Sequence, residues 1–382
     1  MADHQKRALV TGGAGLIGSH LTDLLIREGW TVRILDNLEP NTHKQGKPAW
    51  VNPAADFRQG EVQDYETMRA ALQDIDVVFH QAAYGGYMPE MAKYVLVNSF
   101  GTAQMLEIIR DHNLPVKKVV VASSQVAYSE GAAHCPEHGN VVPKLRPVEQ
   151  LRAGDFAVHC PVPTGNGVCG KVTASIATPE STPGGGETVY GITKVDQERL
   201  VLLWGKQTGV PTVALRYSCT YGPRQSLFNP YTGVIAIFCT RLLNNQPPVV
   251  YEDGGQTRDL CFVEDIARAN FLVATTDKLD GLPVNVGSGQ ATSVNDLAKI
   301  IADKLGKNIQ PLARGEFRPG EIRSLISDTS RIESIGYKPS VTIEEGIGLY
   351  IDWIGTQGEV KDYFAEIEAG LRAKGIVQSV NG

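Results

Sequence analysis

The sequence has no apolar run of about 18 residues, the length a bilayer-spanning helix requires. Its opening MADHQKR is not followed by a signal-peptide core. These absences lead us to expect a soluble, cytoplasmic protein with no membrane partner. Excess positive charge is also missing. The chain has 36 Lys and Arg against 42 Asp and Glu, a formal net charge of -6, so no concentrated cationic surface for nucleic acid is expected. Six cysteines in 382 residues, three of them between positions 135 and 169, do not form the dense pattern of a secreted disulfide framework. No internal repeat or low-complexity tract is evident. The chain does have 42% hydrophobic residues, enough to bury a full core, and a length that suits two domains or one domain with a lobe.

The most informative segment is Thr11-Gly-Gly-Ala-Gly-Leu-Ile-Gly18, which joins a short apolar strand to a helix beginning near Leu16. Glycine is needed there for three reasons: a tight turn at Gly12, close approach of a pyrophosphate at Gly15, and helix-on-sheet packing at Gly18. A second strand, Thr31 to Leu35, ends in Asp36, whose carboxylate can accept both ribose hydroxyls of NAD and would repel the 2'-phosphate of NADP. Further strands are predicted at Ala55 to Gln59, Ile75 to Phe79, Lys118 to Ala122 and Pro211 to Leu215, alternating with helical patterns as a parallel sheet requires. Gln81, Ala82 and Ala83, then Ser123 and Ser124, then Tyr217, follow strand ends, where ligands of such sheets bind. Downstream lies Tyr190-Gly-Ile-Thr-Lys194. A Tyr and a Lys four residues apart share one helix face, and a neighbouring ammonium, together with a positive nicotinamide, is expected to lower the phenol from its usual value of about 10. Tyr190 then becomes an acceptor for the proton of a substrate hydroxyl.

Taken in order, TGGAGLIG, Asp36, the paired alanines, Asn98-Ser-Phe-Gly-Thr102, Ser123-Ser124, YGITK and RYSCTYGPRQ resemble the extended short-chain dehydrogenases that act on nucleotide sugars. The resemblance implies an α/β fold: a Rossmann-type doubly wound parallel sheet, a smaller C-terminal α/β substrate lobe, and here a Cys/His-containing insert. It implies an NAD-binding domain over residues 1–217, interrupted by the insert at 131–186. A mainly sugar-binding lobe follows over 218–382, with 260–290 returning to the sheet. Ser124, Tyr190 and Lys194 match the family's catalytic group. The cofactor positions are Gly12, Gly15, Leu16, Ile17, Gly18, Asp36, Asn37, Glu61, Val62, Gln81, Ala82, Ala83, Asn98, Ser123, Tyr190, Lys194 and Tyr217. Gln125 and Val126 stand where related dehydratases, decarboxylases and 3,5-epimerases carry an acid or a cysteine. Valine can neither give nor take a proton, so what remains is C4 oxidation and return of hydride to the opposite face, the 4-epimerase reaction. Alternatives are a UDP-hexose or UDP-hexuronate substrate, a 4-ketosugar reductase, and a non-enzymatic NAD-binding sensor or scaffold.

The substrate is expected to be a nucleotide-diphosphate sugar. Guanidinium matches phosphate oxygens in bidentate fashion, which makes Arg224, Arg258, Arg318 and Arg323 candidates, and Arg258 and Arg323 match the family's diphosphate positions. Ser124, Tyr84, Cys219 and Asn229 complete the substrate set; Tyr84 and Tyr87 are either pocket lining or packed aromatics. Cys219 departs from the family's Asn, and Asn229 is expected to compensate. Within the insert, Cys135 and His138 have a spacing that lets one turn present two ligands, and Cys160 and Cys169 would complete a structural Cys3His zinc site, although eight residues separate the last two. The Cys-Pro-x-His-Gly segment, with Asn-Pro-Tyr-Thr-Gly and Arg-Pro-Gly-Glu-Ile-Arg, is similar to a subgroup of 4-epimerases that includes those acting on dTDP-L-rhamnose. The family also implies a homodimer formed through the helices expected at Val97 to His112 and Tyr190 to Thr208. The insert is placed to act as a lid or a dimer contact.

Overall fold

Alternating buried runs build the central sheet. In a computed structural model of the protein, residues 5–86, 90–227, 233–358, 360–362, 364–373 and 375–380 are described. Strands β1 (Arg7–Thr11), β2 (Thr31–Asp36), β3 (Asp56–Gln59), β4 (Val77–His80), β5 (Lys118–Ser124), β6 (Thr212–Tyr217) and β7 (Leu282–Val286) form one sheet in the order β7-β6-β5-β4-β1-β2-β3. All six pairings are parallel. β5 is buried at every position, as a central strand covered by helices on both faces must be. The strand order reverses between β1 and β4, which opens a crevice at the carboxyl ends of the strands.

Helix α1 (Leu16–Arg27) starts at the glycine turn and buries Gly18, Leu21, Thr22 and Leu25 at helical spacing. α2 (Tyr65–Ala71) begins on an Asp64 cap that accepts from the Thr67 N–H. α3 (Gly101–Asp111) continues a π-helical turn over Val95–Phe100. α4 (Val189–Thr208) is capped by Thr188 and ended by Gly209 in the left-handed conformation. The expected strands and helices are present with strand ends moved by up to two residues, and the helix expected from Val97 opens as the π-helical turn at Val95. β4 starts at Val77 because Asp74, with φ of 60°, still belongs to the preceding turn.

The second layer of structure begins where β6 ends. Strand Cys219–Tyr221 pairs in parallel with Thr257–Phe262, which also pairs with Ala291–Ser293 and Ser324–Leu325. Helices Val234–Leu243, Val294–Lys304 and Ile343–Gly355 pack on this small sheet around Phe238, Leu260, Ile301 and Tyr350. Between the two, helix Val263–Ala274 packs on α1, and the chain rejoins the main sheet as β7.

The insert is a folded module. Ala132–Cys135 pairs with both Gly139–Val141 and Ala174–Ile176, and a hairpin joins Pro163–Thr164 to Gly167–Val168. Arg146 anchors the module to the lobe. Its guanidinium donates to Glu130 at 3.2 Å, Glu252 at 2.8 Å, the Phe156 carbonyl at 3.1 Å and the Glu321 carbonyl at 2.8 Å. The side chains of Arg146, Glu130 and Glu252 are at most 2% exposed. Removing a cation from such a cluster leaves buried carboxylates without compensation. Arg146→Met is therefore expected to lower unfolding stability by about 3–5 kcal/mol, measured by denaturant titration, and a change below about 1 kcal/mol, the range of an exposed pair, would count against the anchoring role.

Candidate active site

The glycine turn shows why each glycine is there. A Cβ on Gly12, where φ is 69°, would lie 2.9 Å from the Ala82 Cα, and one on Gly18 would lie 2.2 Å from the Gly12 carbonyl oxygen. A Cβ on Gly15 would meet nothing closer than 3.4 Å, so this glycine faces open space. α1 has no side-chain cap at Gly15, which leaves its first N–H groups directed at the crevice, an arrangement that favours anions. Asp36 is buried and accepts the N–H of Ala14 at 2.9 Å and of Leu38 at 2.8 Å. Each carboxylate oxygen keeps a second acceptor site for a ribose hydroxyl. These features fit a dinucleotide.

The crevice has a volume of about 320 Å³. Its walls include Gly12, Gly15, Leu16, Ile17, Gly18, Asp36, Asn37, Glu61, Val62, Gln81, Ala82, Ala83 and Tyr84. Asn98, Ser123, Tyr217, Tyr190 and Lys194 are not among the residues that line this crevice, and the side chains of the first three hold other groups. Asn98 clamps Tyr84 by both its backbone N–H and carbonyl. Ser123 donates to Glu198 at 2.8 Å, and Tyr217 holds the Gln81 side chain at 3.0 Å. Sequence reasoning missed Glu39, Asn41, Thr42 and His43, which also line the crevice. It missed Trp50 too, whose indole N–H donates to the Ala14 carbonyl and whose ring meets Trp353 of the lobe edge-on at 6.0 Å. No motif marks that loop; only its covering position over the glycine turn does.

At the far end of the crevice, β5 delivers Ser124 and the first turn of α4 delivers Tyr190 and Lys194. Ser124 Oγ accepts the N–H of Val126 at 3.3 Å, and its hydroxyl stands near enough to the Tyr190 phenol to act on it. The Tyr190 ring lies against Gly85 of the crevice wall, where a Cβ would meet Cε2 at 3.4 Å, ordinary contact. Lys194 Nζ donates to the Ala122 carbonyl at 2.8 Å and lies 5.8 Å from the Tyr190 ring centroid. The expected lowering of the phenol is not present in the protein alone. Burial pushes Tyr190 up to about 12, opposed only in part by Ser124. Burial also pulls Lys194 down to about 7. Both groups shift toward their neutral forms, because a charged form loses its hydration there.

The substrate candidates separate into groups. Tyr84 lines the crevice and also packs on Tyr94 at 4.9 Å, edge to face, with its hydroxyl donating to Glu90 at 2.9 Å. Tyr87 and Asn229 lie outside the described residues. Arg224, with φ of 71°, is paired with Asp23 of α1 at 2.7 Å and is not brought to the other arginines. Arg258 donates to Glu321 at 2.9 Å, and Arg318 grips the same carboxylate at 2.6 Å. Arg323 is turned to Glu252 at 2.8 Å and Asp253 at 2.6 Å. The arginine that joins Arg258 is thus Arg318, because the turn before strand Thr257–Phe262 supplies two carboxylates to Arg323. Cys219, between these arginines and Tyr190, accepts from the Gln125 amide at 3.2 Å, and burial pushes its thiol up.

In the insert, the sulfur or nitrogen atoms of Cys135, His138, Cys160 and Cys169 lie within 4.8 Å of one another. Cys135 Sγ is 3.6 Å from His138 Nδ1 and 4.0 Å from Cys169 Sγ, and Cys160 Sγ is 3.7 Å from His138 Nδ1. The eight-residue gap is closed by the hairpin. Cys169 N–H donates to the Val162 carbonyl and Gly170 N–H to the Cys160 carbonyl, so the two cysteines face each other across its base.

Comparison with known proteins agrees with this geometry. Residues 8–150 and 164–287 match the NAD dependent epimerase/dehydratase family. A dTDP-L-rhamnose 4-epimerase of Burkholderia thailandensis is 33% identical over 368 residues, covering 94% of this chain and 97% of that protein. The crystal structure of a Thermotoga maritima UDP-glucose 4-epimerase with UDP-glucose superposes with a TM-score of 0.74 at 29% identity, covering 92% of this chain and all of that one. That of a Thermus thermophilus UDP-glucose 4-epimerase with NAD gives 0.70 at 28% identity, covering 92% and 99%. The chain belongs to the NAD dependent epimerase/dehydratase family.

Proposed function

We propose that this protein is an NAD-dependent nucleotide-sugar 4-epimerase in which Tyr190 is the acid and base at the sugar's C4 oxygen. The observation that carries the reading is the grouping of Ser124, Tyr190 and Lys194 at the carboxyl end of β5, with the Tyr190 ring against Gly85 in the wall of a crevice that fits a dinucleotide. NAD, when bound, supplies the hydride acceptor and donor that oxidise the sugar to a 4-keto intermediate and reduce it again on its other face, and adds a positive charge beside the phenol. Tyr190 takes the C4 hydroxyl proton and returns it, while Ser124 shares the hydrogen bond to the same oxygen. Lys194, fixed by the Ala122 carbonyl, stands one helical turn below and favours the phenolate whenever it is protonated. Val126 offers no proton, so elimination of water has no second acid to assist it. Arg258 and Arg318, and next to them Arg323, hold the diphosphate by exchanging carboxylate partners for phosphate oxygens. Residues 1–217 then serve as the NAD domain and 218–382 as the sugar lobe.

dTDP-L-rhamnose is the substrate we favour, because the matched relative with that name is 33% identical over nearly the whole chain. A UDP-hexose is the second reading, supported by the Thermotoga structure. A homodimer is supported by Val95, Leu96 and Phe100 leading into α3 and by Ile192 and Leu203 of α4, all at least 45% exposed, which form an apolar face on the two expected helices. Zinc fits the Cys3His cluster. Tetrahedral Zn–S bonds of about 2.3 Å give ligand separations of about 3.8 Å, close to the 3.6–4.0 Å found. Four protein ligands leave no open position, so this metal would be structural.

Three outcomes test the reading. Proton NMR with dTDP-L-rhamnose or UDP-glucose, without added cofactor, should show C4-epimer signals growing to a constant ratio. Tyr190→Phe should lower that rate by about 10²–10⁴ while NAD content is retained; unchanged turnover in this variant would exclude Tyr190 as the base. Lys194→Met tests the buried ammonium. Its folded value of about 7 lies below the usual 10.5, so the unfolded chain binds the extra proton between these values and wild-type stability falls as pH drops from about 10.5 to about 7, then stays level. The cofactor-free variant should therefore be more stable than wild type below about pH 7 and equal to it near 10.5 in denaturant titrations, with turnover lost; a stability difference independent of pH would contradict the assignment. Finally, elemental analysis should find one zinc per chain, lost in Cys160→Ser along with several degrees of melting temperature; metal-free wild-type protein would refute the site.

A further inference from the structure

The connection from β2 to β3, residues 37–55, carries no step of the chemistry proposed above, yet it closes over the crevice. Glu39, Asn41, Thr42 and His43 reach the crevice from the β2 side. Tyr84 and Lys93 reach it from the β4 side, with the glycine turn of β1 between them. The two sides are joined: Lys93 Nζ lies 4.5 Å from the centroid of the Tyr84 ring and donates to Glu39 at 2.8 Å. An ion pair between partly exposed groups is weak and would hold a free loop poorly. This loop has further ties. Trp50 donates its indole N–H to the Ala14 carbonyl at 3.0 Å and meets Trp353 edge-on at 6.0 Å. Trp353 stacks on Tyr350 at 5.8 Å, and Tyr350 is fully buried in the lobe. The Thr42 carbonyl accepts the hydroxyl of Ser226, also of the lobe, at 3.2 Å. Asn52 donates to Asp23 of α1 at 2.7 Å, and Val51 is buried in the main core. One segment therefore lines the cofactor crevice and is tied to the lobe.

We propose that residues 39–52 are a strap that retains NAD in the crevice, that Trp50 is its positioning residue, and that the lobe holds it shut through Trp353. The inference rests on the cofactor of the proposed function and not on its sugar. Asp36 and the open end of α1 attract a dinucleotide but do not enclose it. Enclosure comes from the strap, and the indole hydrogen bond and aromatic contact supply the hold that the ion pair lacks. A cofactor that takes back its own hydride has no need to leave between turnovers, so slow release suits this reaction.

The test follows release and needs no turnover. Wild type, Trp50→Ala, Trp50→Phe, Trp353→Ala, the Trp50→Ala/Trp353→Ala double variant and Glu39→Gln are loaded with radiolabelled NAD and diluted into excess unlabelled NAD. The label that stays with the protein is followed in time, with the melting temperature of the cofactor-free protein as the control for folding. Trp50→Ala should release NAD about tenfold faster or more, and Trp353→Ala, which alters no crevice residue, should show most of that rise. The double variant should exceed Trp50→Ala by no more than about twofold, because both substitutions act through one contact. Trp50→Phe keeps a ring and should fall between wild type and Trp50→Ala, and Glu39→Gln should speed release about twofold to fivefold. Release from Trp50→Ala within about twofold of wild type overturns the strap, and fast release from Trp50→Ala with wild-type release from Trp353→Ala overturns the hold of the lobe. Should an alanine variant fail to fold, wild-type release from both Trp50→Phe and Glu39→Gln overturns the proposal. If wild type retains NAD but epimerises no nucleotide sugar, the epimerase reading fails and these release rates still decide the strap. If wild type epimerises but exchanges its NAD as soon as it is diluted, the strap falls alone.

Discussion

Burying Lys194 is the constraint around which the reacting end of the crevice is arranged. Its side chain is 2% exposed, and its ammonium is held by the Ala122 carbonyl of a strand that is itself buried throughout. An ammonium without bulk water is disfavoured, and the same dry surroundings disfavour the Tyr190 phenolate. The two groups are therefore displaced in opposite directions toward neutrality, to about 7 and about 12. Nothing in the wall supplies the missing charge. The nearby groups that act on Tyr190 are Ser124, Tyr94 and Cys219, none of them a carboxylate or a guanidinium. His80, deeper in the core between Thr11 and Thr102, is held neutral at about 3. Under the proposed function, a bound cation would shift this balance toward the phenolate and so tie proton transfer at Tyr190 to cofactor occupancy.

The rigid support for that site is a second buried layer. Arg216 donates to both oxygens of Glu198, to the Tyr128 hydroxyl and to the Glu180 carbonyl. Ser123 adds a donor to Glu198 from β5, and Tyr128 in turn donates to Asn285 of β7. The network joins β5, β6, β7 and α4 beneath the crevice, so the strand ends that carry Ser124 and Cys219 are fixed relative to the helix that carries Tyr190. Buried polar groups in a fully satisfied network hold a single arrangement well. This layer uses the hydroxyls of Ser123 and Tyr217, so any contact they make with the cofactor comes from their other atoms.

What was legible in the sequence was local. The glycine turn, Asp36 and the Tyr190–Lys194 spacing each depend on geometry within a few residues, and each lies where its pattern implies. What was not legible depends on partners distant in sequence. No pattern says that Glu321 takes Arg258 and Arg318 while Glu252 and Asp253 take Arg323, since three arginines of equal chemistry compete for three carboxylates across more than sixty positions. The same holds for residues 39–43 and Trp50, which cover the crevice from a loop without a motif. The Cys160–Cys169 gap looked too wide for a metal knuckle because spacing along the chain ignores a hairpin, which brings its two ends together whatever its length.

The arginine cluster has a consequence for the insert. Arg146, Arg258, Arg318 and Arg323 stand against Glu130, Glu252, Asp253 and Glu321, so the site is neutral before any diphosphate arrives. An incoming dianion must draw arginines away from carboxylates, and those carboxylates then need other compensation. Arg146 supplies part of it. It already satisfies Glu130 and Glu252, and it holds the Glu321 carbonyl in the loop that carries Arg318. Arg146 and Glu130 both belong to the strand-and-turn module that carries the Cys/His cluster, or to its immediate approach. The module is therefore more than a surface decoration, because it carries the Arg146 that ties it to the arginine cluster. In the proposed function, where Arg258 and Arg318 exchange Glu321 for phosphate, the hold of Arg146 on the Glu321 carbonyl would bear on how readily they do so.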